Sequence, residues 1–156
     1  MLIWKLHWIF VYFIVWSLSV FVAPVAYSQY RDIDQNIHTH CSKKWTKRGQ
    51  LNQLMYNYCA KLQRNGLAEL YELRSKYRDL EWIKQAEKEI AKKWTKRGVT
   101  NYLMVHFGLN LAIESFLDIS YGLKKGEYES SKITRCFNQW SRPYQQWQMI
   151  KFCLDN

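Results

Sequence analysis

Seven identical residues occur twice in this sequence, at positions 43–49 and again at 92–98. Both segments read Lys-Lys-Trp-Thr-Lys-Arg-Gly, and the match continues downstream at the same offset, where Asn52 corresponds to Asn101. An identity of this length does not arise by chance. The sequence therefore predicts that one structural unit has been duplicated, and this constrains the fold more than any other feature.

A third and more divergent copy lies near the C-terminus. Residues 136–142 follow the pattern of 41–47, with Trp140 at the position of Trp45. The three copies lie near residues 41–59, 90–108 and 136–153. We therefore expect three related structural units, each centred on one tryptophan.

The N-terminal segment has the composition of an export signal. Lys5 gives it a basic start, an almost uninterrupted apolar run follows at 8–22, and small residues precede a cut after Ser28. These features define a secretory signal peptide over residues 1–28. The alternative is an uncleaved N-terminal membrane anchor, since a run of about 20 apolar residues can span a bilayer. Pro24 and the small residues favour cleavage, so we expect an exported protein, either periplasmic or secreted.

Export leaves a strongly basic domain at residues 29–156. The whole chain has a formal net charge of +10, and removal of residues 1–28 takes away Lys5 and no acidic residue, which leaves +9. A positive domain outside the cytoplasm favours anionic partners, such as an envelope surface, an acidic polysaccharide, extracellular nucleic acid or an acidic protein. The alternative is a solvated basic surface that serves solubility alone.

All four cysteines lie in the exported part, so two disulfides are expected. In a helical hairpin, two residues at similar distances on either side of the turn come level with each other. The repeat therefore predicts pairing within units, Cys41 with Cys59 and Cys136 with Cys153. The middle copy has Ile90 and Gly108 at the corresponding positions. We expect Gly108 to face Ile90 and to let the helices of that unit approach closely without a crosslink.

The spacing of apolar residues predicts helices throughout the exported part. Apolar residues recur at intervals of three and four, and the sequence has no sustained alternation of apolar and polar residues. The predicted helices cover 50–64, a long segment from 67 into the second motif, 100–120, 130–140 and 144–154, with breaks at Asn65-Gly66 and 122–127. The 100–120 helix is apolar almost all round, which is typical of a central element. The predicted fold class is all-α, a compact bundle of degenerate αα-hairpin repeats with two disulfides inside repeats.

Each basic motif is predicted to form a helix, a tight turn and a second helix. Its lysines lie on the outer side of a helix and its tryptophan on the inner side. Gly49 and Gly98 suit the left-handed residue that ends a helix, and Asn52 and Asn101 suit the cap of the next one. The structural residues are Trp45, Trp94 and Trp140, with Met55, Met104 and Met149 packing toward them. The predicted binding residues are Lys43, Lys44, Lys47, Arg48, Lys92, Lys93, Lys96, Arg97 and Arg142.

The sequence favours a binding or structural protein over an enzyme. Two identical basic turns form a bivalent patch for an anionic surface or polymer. The alternative is a protein-partner inhibitor or adaptor, whereas the export signal disfavours intracellular DNA as a partner. No cofactor is predicted. A metal site at His38, His40 and Cys41 is disfavoured, because a fourth ligand is missing and Cys41 is assigned to a disulfide.

A small exported hydrolase is the remaining alternative. Glu114 lies inside the most apolar helix, and Asp118 follows one turn later. Hydrolysis of a glycan needs two carboxylates held across a cleft, one of which stays protonated. These two residues are the catalytic candidates under that alternative. If Glu114 is not catalytic, we expect it to pair with a Lys or Arg of another helix or to lie at the solvent-exposed edge of its own helix.

Overall fold

The computed structural model describes residues 32–141 and 146–156, which are mostly helical, in agreement with the predicted class. The helices are α1 (residues 32–45), α2 (Gln53–Lys76), α3 (Trp82–Trp94), α4 (Tyr102–Lys125), α5 (Ser130–Trp140) and α6 (Trp147–Asp155). Two short antiparallel hairpins connect helices, β1 (Thr46–Lys47) with β2 (Gln50–Leu51) and β3 (Thr95–Lys96) with β4 (Val99–Thr100). The predicted signal peptide, residues 1–28, lies outside the described residues.

Each copy of the basic motif contains the end of a helix followed by a β-hairpin. The helices end at Trp45 and Trp94, and the next residues are already extended. Lys47 and Lys96 lie in the first strand of each hairpin. The prediction that these two lysines share a helical face with the lysines before them is therefore wrong, because the backbone leaves the helix at the threonine in between.

The two hairpin turns have the same backbone conformation. The φ angles are +51° at Arg48, +77° at Gly49, +53° at Arg97 and +74° at Gly98. Two successive residues with positive φ define a type I′ turn, whose twist matches that of paired strands. The left-handed glycines are as predicted, but a simple helix cap needs only one such residue. An arginine in this conformation costs about 1–2 kcal/mol, so contacts elsewhere must hold each hairpin.

Helices α1 and α2 form the first unit. The sulfur atoms of Cys41 and Cys59 lie 2.06 Å apart, as the predicted pairing requires. This disulfide is buried together with Ile37 in a small apolar cluster between the two helices. At the start of α2, the side chain of Asn52 accepts a hydrogen bond from the backbone nitrogen of Met55 at 3.1 Å, which confirms the predicted cap.

Helix α2 continues through Asn65-Gly66, where the sequence predicted a break. Gly66 is buried, and a Cβ on it would lie 2.7 Å from the Cα of Leu103 and 2.9 Å from its nitrogen. The glycine is needed because the backbone of α4 passes too close for any side chain. The break comes later, between Lys76 and Trp82. This contact fixes the start of α4 against the middle of α2.

Helix α4 is the central element, as its apolar sequence predicted. Helices α2, α3 and α6 all pack against it. The core between α2, α3 and α4 consists of Leu70, Ile83, Ala86, Ile90, Val105, Leu109 and Ile113. The helix extends to Lys125 and ends at Gly126, which has a φ of +71°. The loop predicted to begin at residue 122 therefore begins four residues later.

By length and composition alone, α4 could cross a membrane, and it is the one such helix in the described part of the chain. Three other helices pack against it, and 28% of its most apolar stretch is buried inside the protein. Its remaining side exposes Phe107, Leu117 and Tyr121 to solvent.

Helices α5 and α6 form the C-terminal unit, with the sulfur atoms of Cys136 and Cys153 1.98 Å apart in the second predicted pair. The residues between the two helices, 142–145, lie outside the described part of the chain. An aromatic cluster joins this unit to the rest of the molecule through rings 4.8 to 5.9 Å apart, those of Trp82, Phe116, Phe137 and Trp147. The cluster attaches α5 and α6 to the central helix.

Candidate functional site

A cleft between helix α1 and the second hairpin brings the two copies of the basic motif together. Its volume is about 570 Å³. Its principal lining side chains are His40, Lys43, Lys44, Trp94, Lys96 and Arg97. We call this concavity the basic cleft. Its described lining contains four Lys and Arg residues and no Asp or Glu.

Asn36 holds the second hairpin against α1 and so assembles the basic cleft. Its Nδ2 donates to the carbonyl oxygen of Gly98 at 3.2 Å, and its Oδ1 accepts from the backbone nitrogen of Thr100 at 3.1 Å. The hairpin is further tied to its own helix, since the hydroxyl of Thr95 donates to the carbonyl of Ala91 and lies 2.9 Å from the hydroxyl of Thr100. Lys96 and Arg97 are thereby held opposite α1.

The cations of the basic cleft are not neutralised by carboxylates within the part of the chain that the structure describes. The ion pairs formed there involve other cations, such as Arg64, Arg74 and Lys151. Unpaired positive charges in a concave surface focus the electric field and attract anions. The positive charge of the cleft therefore favours a negatively charged ligand.

His40 is partly buried and lines the basic cleft beside Lys43 and Lys44. Burial, and secondarily the ammonium of Lys44, lower the pKa of His40 below its usual value. The imidazole consequently loses its proton more readily than an exposed histidine. An anion placed in the cleft would oppose the effect of Lys44 and favour the protonated imidazole.

Each tryptophan of the repeated motif lies beneath a lysine of the same motif. The Nζ of Lys44 lies 5.6 Å from the ring centroid of Trp45, and the Nζ of Lys93 lies 5.8 Å from that of Trp94. Both distances are within the range of a cation–π contact. Trp45, Trp94 and Trp140 are all partly buried against apolar clusters, the side predicted for them.

The structure separates the predicted binding residues into two groups. Lys43, Lys44, Lys96 and Arg97 line the basic cleft. The others lie outside the cleft lining and are exposed to solvent: Lys47 and Arg48 in the first hairpin, and Lys92 and Lys93 at the end of α3. Arg142 lies outside the described residues. Two of the four basic residues of each motif copy thus line one site, and the other two lie outside its lining.

Gln63 is a site-forming residue that the sequence analysis missed. Its side chain is only 3% exposed, its Nε2 donates to Oδ1 of Asn101 at 2.9 Å, and its Oε1 accepts from the nitrogen of Tyr102 at 2.7 Å. Asn101 also caps α4 by accepting from the nitrogen of Met104 at 3.3 Å, as predicted. Gln63 therefore joins α2 to the start of α4. An amide in the middle of an apolar helix face was the available signal.

Asn36 was also missed by the sequence analysis. It lies among the mostly polar residues at 29–37, where the sequence offers no periodic signal for it. Its partners are backbone atoms of the second hairpin, more than 60 residues away, so local sequence carries no information about them.

The carboxylates considered for catalysis lie in open surroundings. Glu114 is exposed, and its Oε1 accepts a hydrogen bond from Nδ2 of Asn110 at 2.7 Å. Asp118, also exposed, lies 3.7 Å from the Nζ of Lys151. The two residues are one turn apart on the same helix, whereas glycan hydrolysis needs carboxylates on opposite sides of a bond. The arrangement gives the hydrolase alternative no support.

The remaining histidines have structural surroundings. The ring of His38 packs edge-on against that of Tyr56 at 5.6 Å, and Cys41 is in a disulfide. The Nδ1 of His106 lies 3.0 Å from a carboxylate oxygen of Glu69 on α2. His38, His40 and Cys41 thus do not converge on one point, and no group of three metal-binding side chains occurs among the described residues.

Comparison of the chain with protein-family models, with curated proteins and with solved structures gives no significant match. The function is therefore inferred from the residues of the site.

Proposed function

We propose that this protein is an exported, non-enzymatic binding protein that holds an anionic surface or polymer in the basic cleft. The observation that carries the proposal is the gathering of charge from both motif copies. Lys43 and Lys44 come from the first copy, and Lys96 and Arg97 from the second, with no acidic residue in the described lining. A basic surface that served solubility alone would not require cations of both copies to meet in one concavity.

The proposal includes a duplicated origin for the two halves of the cleft. The identical segments 43–49 and 92–98 form hairpins with the same turn geometry, and an asparagine caps the helix after each. The third unit, 136–153, is then a divergent copy that retains the crosslink. Duplication of one basic hairpin is a direct route to a site with two sets of cations.

Export to the periplasm or the extracellular space is part of the same proposal. Two cysteine pairs at bonding distance are compatible with an oxidising compartment. Anionic envelope polymers and surfaces are present there, and a basic cleft would meet them after the predicted removal of residues 1–28.

Binding of inorganic polyphosphate, a soluble anionic polymer, tests the proposal. The cleft variant K43Q/K44Q/K96Q/R97Q is compared with a control of equal charge change, K47Q/R48Q/K88Q/K92Q, whose four residues are exposed and lie outside the cleft lining. We expect the affinity of the parent protein to fall steeply with salt, and the cleft variant to lose about four units of the salt slope, one for each cation. Circular dichroism and thermal melting would be used to check that both variants are folded.

Equal losses in the two variants would show that net charge, and not the cleft, governs binding. An affinity that persists in high salt and a defined complex with an acidic protein would instead favour the inhibitor or adaptor alternative.

A further inference from the structure

A smaller cavity, open to solvent and mainly apolar, lies directly beside the basic cleft, and we call it the apolar cavity. Its volume is about 160 Å³. Its apolar lining comes from Trp45, Tyr58, Leu62, Leu103 and Met104, and its polar lining from His40, Lys44, Gln63 and Asn101. The two concavities have common walls, because His40, Lys44 and Asn101 line both of them. A ligand that placed its charge in the cleft could therefore extend an apolar part into this cavity without leaving the protein surface.

The size of the cavity limits what can enter it. An apolar protein cavity of about 150 Å³ holds one benzene molecule. The cavity beside Trp45 is of this size, so it accommodates the first segment of an acyl chain but not a whole lipid tail. The rest of such a ligand must remain in its own apolar environment.

Exposed apolar side chains lie on helix α2, which lines this cavity, and on the first hairpin beside Trp45. Tyr58 lines the cavity and is 58% exposed, and Leu54, one turn earlier on the same face of α2, is 77% exposed. Leu51, in the first hairpin, is also exposed and lines a depression beside Trp45. Exposed apolar residues next to unpaired cations are the combination found on protein surfaces that lie at a lipid interface.

We propose that the basic cleft, the apolar cavity and the exposed residues Leu51, Leu54 and Tyr58 form one docking surface for an anionic phospholipid in a bilayer. The phosphate lies among the cations of the cleft, the first carbons of an acyl chain occupy the cavity, and the exposed side chains enter the interface. This inference rests on the proposed function of the cleft. Charge complementarity selects the headgroup, and the shared walls connect it to the apolar part.

A soluble polyanion would use only half of this surface. Polyphosphate or a polysaccharide would satisfy Lys43, Lys44, Lys96 and Arg97 but would leave Leu54 and Tyr58 in water. An amphiphilic ligand covers both parts. The proximity of charged and apolar groups therefore favours a lipid over a fully polar polymer.

The chain offers a matched control for the apolar part. Leu117 and Tyr121 have the same residue types and the same spacing as Leu54 and Tyr58, and they are 44% and 59% exposed. They lie on α4, at least 14 residues beyond Leu103, which corresponds to about 20 Å along a helix. The variants L54S/Y58S and L117S/Y121S thus remove equivalent side chains near the cleft and far from it.

The experiment measures binding of the oxidised protein to three probes: vesicles of equimolar phosphatidylglycerol and phosphatidylcholine, vesicles of phosphatidylcholine alone, and inorganic polyphosphate. Of the two vesicle types, we expect the protein to bind only the one that contains phosphatidylglycerol. L54S/Y58S should weaken vesicle binding about tenfold or more, since each side chain loses its apolar burial, and should leave polyphosphate binding unchanged. L117S/Y121S should change neither. The single variant L54S repeats the test with minimal risk to folding, because Leu54 has the most exposed of these side chains.

The two proposals fail in different ways. Vesicle binding that is insensitive to L54S/Y58S, or equally sensitive to L117S/Y121S, would overturn the lipid inference while polyphosphate binding still reported on the cleft. Insensitivity of both vesicle and polyphosphate binding to K43Q/K44Q/K96Q/R97Q would overturn the proposed function itself.

Discussion

Ile90 on α3 packs directly against Gly108 on α4, so that a Cβ on the glycine would lie 2.9 Å from the Cγ2 methyl of Ile90. These residues occupy the positions at which the other two motif copies have paired cysteines, Cys41 with Cys59 and Cys136 with Cys153. A close apolar contact in the middle of the molecule thus stands where crosslinks stand in the outer units. The predicted proximity of Ile90 and Gly108 is confirmed.

The substitution Gly108→Ala should destabilise the fold by about 1 kcal/mol. The new methyl group meets a branched side chain that has little freedom to move, and overpacking of this kind costs about 2 kcal/mol, against a gain of about 1 kcal/mol in helix propensity. In an Ile90→Ala background the clash is absent, so the same change should stabilise. Urea unfolding of the four proteins of this cycle measures the coupling. Additive effects would show that the two residues do not interact.

The double variant I90C/G108C should form a third disulfide. The Cγ1 and Cδ1 atoms of Ile90 lie 3.8 Å from the position of a Cβ on Gly108, and its own Cβ is not among the three nearest atoms. With a C–C bond of about 1.5 Å, the separation of the two Cβ atoms lies between about 3.8 and 4.4 Å, within the range of disulfides. We expect stabilisation of about 3 kcal/mol. Intact mass and thiol titration without reductant check the bond, and two free thiols after oxidation would contradict the geometry.

The substitution Gly66→Ala should destabilise more than Gly108→Ala, by about 3 kcal/mol. Its Cβ would meet backbone atoms of Leu103, which cannot turn away as a side chain can. Asn65→Ala, an exposed neighbour on the same helix, is the control and should be neutral or slightly stabilising. Chemical denaturation distinguishes the two. A stable G66A protein would mean that α2 and α4 are further apart than described.

The two disulfides should have equal effects on stability and unequal effects on binding. Their sequence separations are 18 and 17 residues, so removal of either should cost about 3 kcal/mol. The first holds α1, which carries His40, Lys43 and Lys44, whereas the second lies between α5 and α6. C41A/C59A should therefore weaken polyphosphate binding, and C136A/C153A should not. Equal binding by the two folded variants would argue against the cleft as the site.

Anion binding should strengthen as the pH falls. Burial and Lys44 lower the pKa of His40 in the free protein, and a bound anion raises it again, so the complex takes up a proton. The basic groups that line the cleft together with His40 are Lys43, Lys44, Lys96 and Arg97, and Tyr58 lines the cavity beside it. Affinity for polyphosphate should rise as the pH falls below about 6.5, the ordinary pKa of histidine, because the pKa of His40 in the free protein lies below that value, and His40→Gln should remove most of this dependence. An unchanged pH profile in that variant would exclude His40 as the responsible group.

The sequence by itself determined the features that depend on neighbouring residues or on pairing within a unit. The periodicity of apolar residues predicted that most of the described chain is helical, and the asparagines at 52 and 101 predicted the caps of α2 and α4, because both signals depend on residues one turn apart. The even number of cysteines and their corresponding places in the predicted repeat indicated both pairs. These predictions succeeded because no distant part of the chain enters the argument.

Only the tertiary structure decided where those elements meet. From its neighbours, Gly66 was predicted to end a helix. In the structure it lies inside α2, where the backbone of α4, nearly 40 residues away in the chain, leaves no room for a side chain. The hairpins were not predicted, because Arg48 and Arg97 adopt the left-handed conformation at a turn position where Asn or Gly is the usual residue. The basic cleft exists because Asn36 binds the second hairpin, which brings Lys96 and Arg97 opposite Lys43 and Lys44. Local sequence fixes the direction of the chain over a few residues, whereas the position of one helix relative to another depends on packing between residues far apart in the chain.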